Sequence, residues 1–249
     1  MIVLARHPEL LLVRQADHAA SSREIAAAWC WPETLSSDLW ERFLDGVAVH
    51  DDGWIDAELR PALNVDGRPR DFKETPVREH VDIWRRSVAM AREKDPVVGL
   101  VVALHAHALY QHHVEPSSRE DRALATAFTD ELARTIDVLK VELHDDGCLG
   151  ILTDLIAFFD GISLMLLGAI PHMTETGALA MDGRRESLEL AWTSDGVVVE
   201  PWPFSTPTVR TSLAAVRLQT QKFRGKKELE RAVASAETTM LSWTLSPRR

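Results

Sequence analysis

The chain has 249 residues, 45% of them hydrophobic and 27% charged, enough apolar material for one large core without covalent staples. Its formal net charge is -10 and its basic residues are scattered, which argues against the phosphate footprint of a nucleic-acid binder. Cys30 and Cys148 lie far apart and form no CxxC pair, so neither a disulfide framework nor a thiolate zinc site is indicated. The apolar N-terminus is interrupted by Arg6 and Glu9 and is too short for an export signal. The most apolar stretch, Leu149 to Ile170, carries Asp154 and Asp160 and falls short of a membrane span. These features predict a cytoplasmic protein whose partners are small molecules rather than nucleic acid or membrane.

In chain order, Ile2 to Arg6 and Leu10 to Arg14 read as a small hairpin around His7 and Pro8. Ser22, Ile25, Ala26 and Trp29 recur at helical spacing, which predicts a helix over Asp17 to Trp29 with Asp17 as cap and His18 on the first turn. After a break at Pro32, Trp40, Phe43, Leu44 and Val47 mark a second helix, capped from Ser36, Ser37 or Asp38, that runs into His50 and Asp51. Ile55 to Thr75, with Pro61, Pro69 and the pair Asp66-Gly67, reads as a long loop. A helix follows Thr75-Pro76, with His80 beside its apolar stripe. The next starts at Asp95-Pro96, is apolar nearly all round and contains His105. Ser117 and Glu120 form a capping-box pattern for a long helix that keeps its period until Gly147. The apolar helix around Asp160 comes next.

Beyond Pro171 the period changes. Leu188, Leu190 and Trp192 alternate with polar residues, Ser194-Asp195-Gly196 makes a turn, and Val197 to Val199 starts a return strand. Val209 to Leu218 and Leu241 to Leu245 read as further strands, separated by a helix from Lys226 to Ala236. The expected organisation is a single domain, 1–249, with a helical core at about 17–170 and sheet elements at 1–14 and 186–246. The expected class is mainly α (α+β): a helical bundle with a small antiparallel sheet made by the N-terminal hairpin and the C-terminal strands.

Chemistry concentrates on a few residues. Asp160 has almost only apolar neighbours in sequence, and a buried carboxylate needs a cation, a metal or several donors, or else a proton. A hydrogen-bonded structural Asp is the plain alternative. His50 and Asp51 lie three and four residues beyond Val47, close to the apolar stripe of their helix, where imidazole and carboxylate can ligate Zn, Mn or Fe. His144-Asp145-Asp146-Gly147 repeats the tetrapeptide His50-Asp51-Asp52-Gly53 but lacks the following tryptophan, and reads as a solvated helix end.

His18, then His50-Asp51, then Asp160 on a late apolar helix match the H…HD…D order of the HD superfamily, and the chain resembles that superfamily. Gln15 to His18, Ile25-Ala26, Trp29, Val49 to Trp54 and Pro201 to Phe204 look like a bacterial family of unassigned function whose hallmark is an HDDGW sequence. The resemblance implies an HD-like helical fold. His80 and His105 stand where dinuclear HD proteins carry further ligands, as in the HD-GYP phosphodiesterases and in di-iron oxygenases such as inositol oxygenase. No GYP tripeptide follows, so HD-GYP specificity is not implied.

The expected metal ligands are therefore His18, His50, Asp51, His80, His105 and Asp160, holding one or two divalent ions of Fe, Mn, Zn or Mg. Asp52 is the candidate catalytic group, accepting a proton from bound water or else only fixing its loop. Trp54 and Tyr110 are candidates for lining the substrate pocket, with aromatic packing as the alternative. His107, His112 and His113 point in several directions around one helix and read as bystanders. The leading expectation is a metal-dependent hydrolase of a phosphate ester. A di-iron oxygenase and a non-catalytic metal-binding or structural protein are the alternatives.

Overall fold

The computed structural model describes residues 1–6, 8–30, 33, 35–144, 150–179 and 185–248. His7, Pro32, Asp145, Asp146, Gly147, Cys148 and Leu149 lie outside the described residues, so most of the second HDDG copy does too.

Strands β1 (Ile2–Arg6) and β2 (Glu9–Val13) form the expected antiparallel hairpin. Helix α1 (Gln15–Ala27) begins two residues earlier than its pattern suggested, with Asp17 in the first turn rather than at the cap. In α2 (Ser37–Val49) the Ser36 side chain accepts the Leu39 N–H, and His50 closes the helix. The predicted loop 55–75 is partly ordered into the one-turn α3 (Ile55–Glu58) and a 3-10 turn at Phe72–Glu74. Then come α4 (Val77–Lys94) and α5 (Pro96–His112), the latter capped by Asp95. Helix α6 (Arg119–Glu142) is capped by Ser118 through the Asp121 N–H, one residue beyond the expected box, and α7 (Gly150–Leu167) follows.

The remaining elements are β3 (Glu175–Leu179), β4 (Arg185–Thr193), β5 (Gly196–Glu200), β6 (Val209–Leu218), α8 (Lys226–Ser235) and β7 (Glu237–Pro247). They join the hairpin in one seven-stranded sheet of order β1-β2-β6-β7-β5-β4-β3, antiparallel except where β5 runs parallel to β7. This overturns the expectation of a mainly helical HD-like bundle carrying a small antiparallel sheet: the fold is mixed α/β, with the sheet a full layer. Two features hid this from sequence patterning. The β3 segment Glu175-Thr176-Gly177-Ala178-Leu179 has little apolar alternation, and strand direction leaves no mark on the period.

The main core lies between the helices and one face of the sheet. Helix α5 is its axis, with residues Val97 to Ala106 all buried because α2, α4, α6 and α7 surround it. Leu188, Leu190, Val197 and Val199 bring β4 and β5 into that core. Leu164 and Leu167 of α7 pack on Ile2, Leu4, Leu11 and Val13, while Leu10, Leu12 and Leu218 face α8 through Leu229. The continuous apolar run of β2 follows from being covered on both faces. Trp29, at the end of α1, bridges to Phe204, and the Cys30 and Ser205 N–H groups bond across this junction to Pro203 and Ala28, tying helix to sheet. No helix among the described residues is long and apolar enough to cross a membrane.

Candidate metal centre

Four helical elements deliver polar groups to one place inside this core. His18 comes from the first turn of α1, His50 and Asp51 from the end of α2, His105 from the middle of α5 and Asp160 from α7; all five side chains are buried. Two overlapping sets have donor atoms within 4.8 Å of one another: His18, His50 and Asp51, and His50, His105 and Asp160. His18 Nε2 stands 2.7 Å from Asp160 Oδ1, which joins the sets.

The orientation of each imidazole is set by its other nitrogen. The last turn of α2 leaves backbone carbonyls without helical partners, and His50 Nδ1–H donates to one of them, Val47 O, at 2.7 Å. In the neutral ring His50 Nε2 then carries the lone pair; it is fully buried and without a hydrogen-bond partner, 3.4 Å from Asp51 Oδ2 and 3.6 Å from Asp160 Oδ1. An ionised Asp160 can only accept, so the 2.7 Å contact to it places a proton on His18 Nε2, and His18 Nδ1 accepts from the Ser163 hydroxyl at 2.8 Å. His105 Nε2 lies 3.6 Å from Asp160 Oδ2.

Lone pairs facing carboxylates require a positive charge between them. Burial opposes a charge on His50, but Asp51 and Asp160 outweigh it and hold this imidazole well above its ordinary value. Burial also pushes both carboxyls upward. Hydrogen bonding to His18 and the positive charge favoured at His50 nevertheless hold Asp160 well below the usual carboxylate range, and His50 holds Asp51 below it. For His105 burial prevails, pushing it down to about 4. The balancing charge can be a proton on His50 or a metal cation at the same point. Donors about 2.1 Å from a common ion stand about 3.0 to 3.4 Å apart, close to the 3.4 and 3.6 Å separations around His50. Imidazole and carboxylate without thiolate suit Fe, Mn or Zn.

His80, expected among the ligands, does not join either set. Its Nε2 accepts the Trp84 indole N–H at 3.0 Å, so its proton is on Nδ1 and is directed to Tyr110 Oη at 2.8 Å. Burial pushes His80 down to about 4, and it stays neutral with both nitrogens committed. Trp54 and Tyr110, the expected pocket residues, are both buried and pack on the His80 ring, with Tyr110 stacked on it. Asp52, the expected catalytic group, turns away to Lys94 Nζ at 3.2 Å. His144 is exposed, with a positive φ of 52° at the end of α6.

The glycine of His50-Asp51-Asp52-Gly53 has a steric reason. A Cβ on Gly53 would come within 2.2 Å of the Ile83 carbonyl, because the turn after α2 lies directly against α4, where Ser87 Oγ accepts the Gly53 N–H at 3.0 Å. Ser163 and Trp84 touch the cluster through His18 and His105, and the sequence pattern does not mark either for that place. The one hint at Ser163 is its hydroxyl one helical turn after Asp160 in an otherwise apolar helix.

The model of the family described as "Protein of unknown function (DUF3891)" matches residues 1–220. The chain belongs to that family. The DUF3891 match spans β1 to β6 and takes in all five residues of the cluster. No curated protein and no solved structure matches the chain.

Proposed function

We propose that this DUF3891 protein is a metal-dependent hydrolase, with phosphate esters as its substrate class and His18, His50, Asp51, His105 and Asp160 as the metal-holding residues. The observation that carries the reading is the unpartnered, fully buried Nε2 of His50 between two carboxylates. A cation there would act as a Lewis acid and lower the pKa of a water for attack on the ester. The protein's own part is to aim the donors: Val47 and Ser163 fix the His50 and His18 rings, and Asp51 and Asp160 balance the charge. The H…HD…D order that resembles the HD superfamily agrees with this reading at the level of residues, not of fold. A cytoplasmic setting suits the free Cys30. The di-iron oxygenase alternative needs His80 on a second ion, which its hydrogen bonds do not favour.

The test is elemental analysis of protein purified without added metal, followed by turnover assays on phosphomonoesters, phosphodiesters and nucleotides with Mn, Fe, Zn and Mg. Bound metal and metal-dependent release of phosphate are expected. Full metal occupancy without turnover on any of these would overturn the hydrolase reading and leave a metal-binding protein. Failure to retain or take up metal would remove the reading altogether.

A further inference from the structure

The two donor sets share His50, and the shared residue limits how many ions they can serve. His50 has one lone pair to give, on Nε2, because its Nδ1–H is donated to Val47 O. An imidazole that bridges two ions would need both nitrogens. With His50 given to one ion, a second would keep, among the described residues, His105 and a carboxylate shared with the first ion.

His80 cannot supply the missing ligand without loss. Its Nε2 lone pair is occupied by the Trp84 indole N–H, and turning it toward an ion would leave that donor unpaired in the core. Trp84 in turn packs edge-on against the His105 ring, with centroids 5.5 Å apart. His80 therefore touches the centre through Trp84 rather than directly.

We infer that the centre is mononuclear: one divalent ion draws donors from both sets, and His80 is a positioning residue that anchors Trp84 against His105. The inference rests on the metal-dependent reading above, and its test separates the two.

Chelator-stripped full-length protein is titrated with Zn2+ or Mn2+ alone, by calorimetry and by equilibrium dialysis with elemental analysis. One ion per chain is expected. His105→Ala should weaken that single site without changing the wild-type class of sites from one to fewer. His80→Ala should weaken it about 10- to 100-fold, the usual cost of losing a group that orients a ligand. His80→Gln, whose amide oxygen can still accept the Trp84 N–H, should restore affinity to within about threefold of wild type. Two ions per chain, with one lost in His105→Ala, would overturn the one-ion centre while leaving metal binding intact. His80→Gln as weak as His80→Ala would overturn the positioning role. No ion bound by the wild type would overturn the metal reading itself, a different result from either.

Discussion

His50 is buried and His80 half-buried, both close to the turn that follows α2, yet they do opposite things. His50 spends one nitrogen on Val47 and leaves the other bare between two carboxylates; His80 spends both, on Trp84 and Tyr110. Burial and closeness to acids do not make a histidine a ligand. What counts is an uncommitted lone pair, and that is decided by neighbours as ordinary as a helix-terminal carbonyl or an indole N–H.

The largest effects are expected where the lone pair faces the acids. His50→Ala and Asp160→Asn should abolish metal retention, read as metal per chain after gel filtration, whereas His80→Gln should keep it. Asp160→Asn should also destabilise the metal-free protein by about 3 to 5 kcal/mol, because His18 and His50 hold this group as a carboxylate and its loss breaks a buried ion pair. An Asp→Asn change in an apolar helix would otherwise be expected to stabilise, so the sign is diagnostic. Denaturant unfolding of the chelated variants measures it.

The next effect separates the two histidine environments by pH. His80 and His105 are pushed down to about 4, so each stabilises the fold fully above its unfolded value of about 6.5 and loses that contribution as pH falls from about 6.5 toward 4. A shift of this size corresponds to roughly 3 kcal/mol per group. His50, held above its ordinary value, works the other way: its contribution is full below about 6.5 and is lost as pH rises through the folded value. Metal-free protein should therefore be most stable between these limits. His80→Gln should flatten the acid limb and leave the alkaline limb unchanged in unfolding curves from pH 4 to 8.

How much of this contrast could be read beforehand follows from what pattern can carry. Asp160 stood out because every apolar neighbour in α7 raised the cost of its charge, and the hairpin followed from its two short apolar runs. The gathering of His18, His50, Asp51, His105 and Asp160 was expected from the resemblance of their order along the chain to that of the HD superfamily. The commitment of His80 was not, since Trp84 reads as one more apolar residue on the stripe of α4, and the Tyr110 contact exists only once α4 packs on α5. The sheet was underestimated for a similar reason: β5 and β7 pair in parallel across 36 or more residues of intervening chain, which no local period records.

A smaller effect is expected at the turn itself. Gly53→Ala would press a methyl group into the Ile83 carbonyl of α4, a rigid partner, and should cost about 1 to 3 kcal/mol or somewhat more. Because the turn follows Asp51 directly, weakened metal affinity should accompany the lower melting temperature. Normal affinity with normal stability would show that the turn is not the strut that separates the His50 and His80 sites.

The smallest effect should come from Asp52, and it sharpens the comparison by testing the acid that stands beside the cluster but faces away from it. Its carboxylate pairs with Lys94 near the end of α4, a partly exposed contact that is screened by water and salt. Asp52→Asn should therefore change stability by less than about 1 kcal/mol, with the difference shrinking further at high salt. Metal content and turnover should both stay near wild type, in contrast to Asp51→Asn one residue earlier, which removes a carboxylate facing the His50 lone pair. Adjacent acids of the same motif would then differ by whether they look inward, as the two histidines do. If Asp52→Asn kept the metal but lost turnover, Asp52 would be a proton acceptor reached by a rearrangement away from Lys94, and the assignment of chemistry to the inward-facing residues alone would fail.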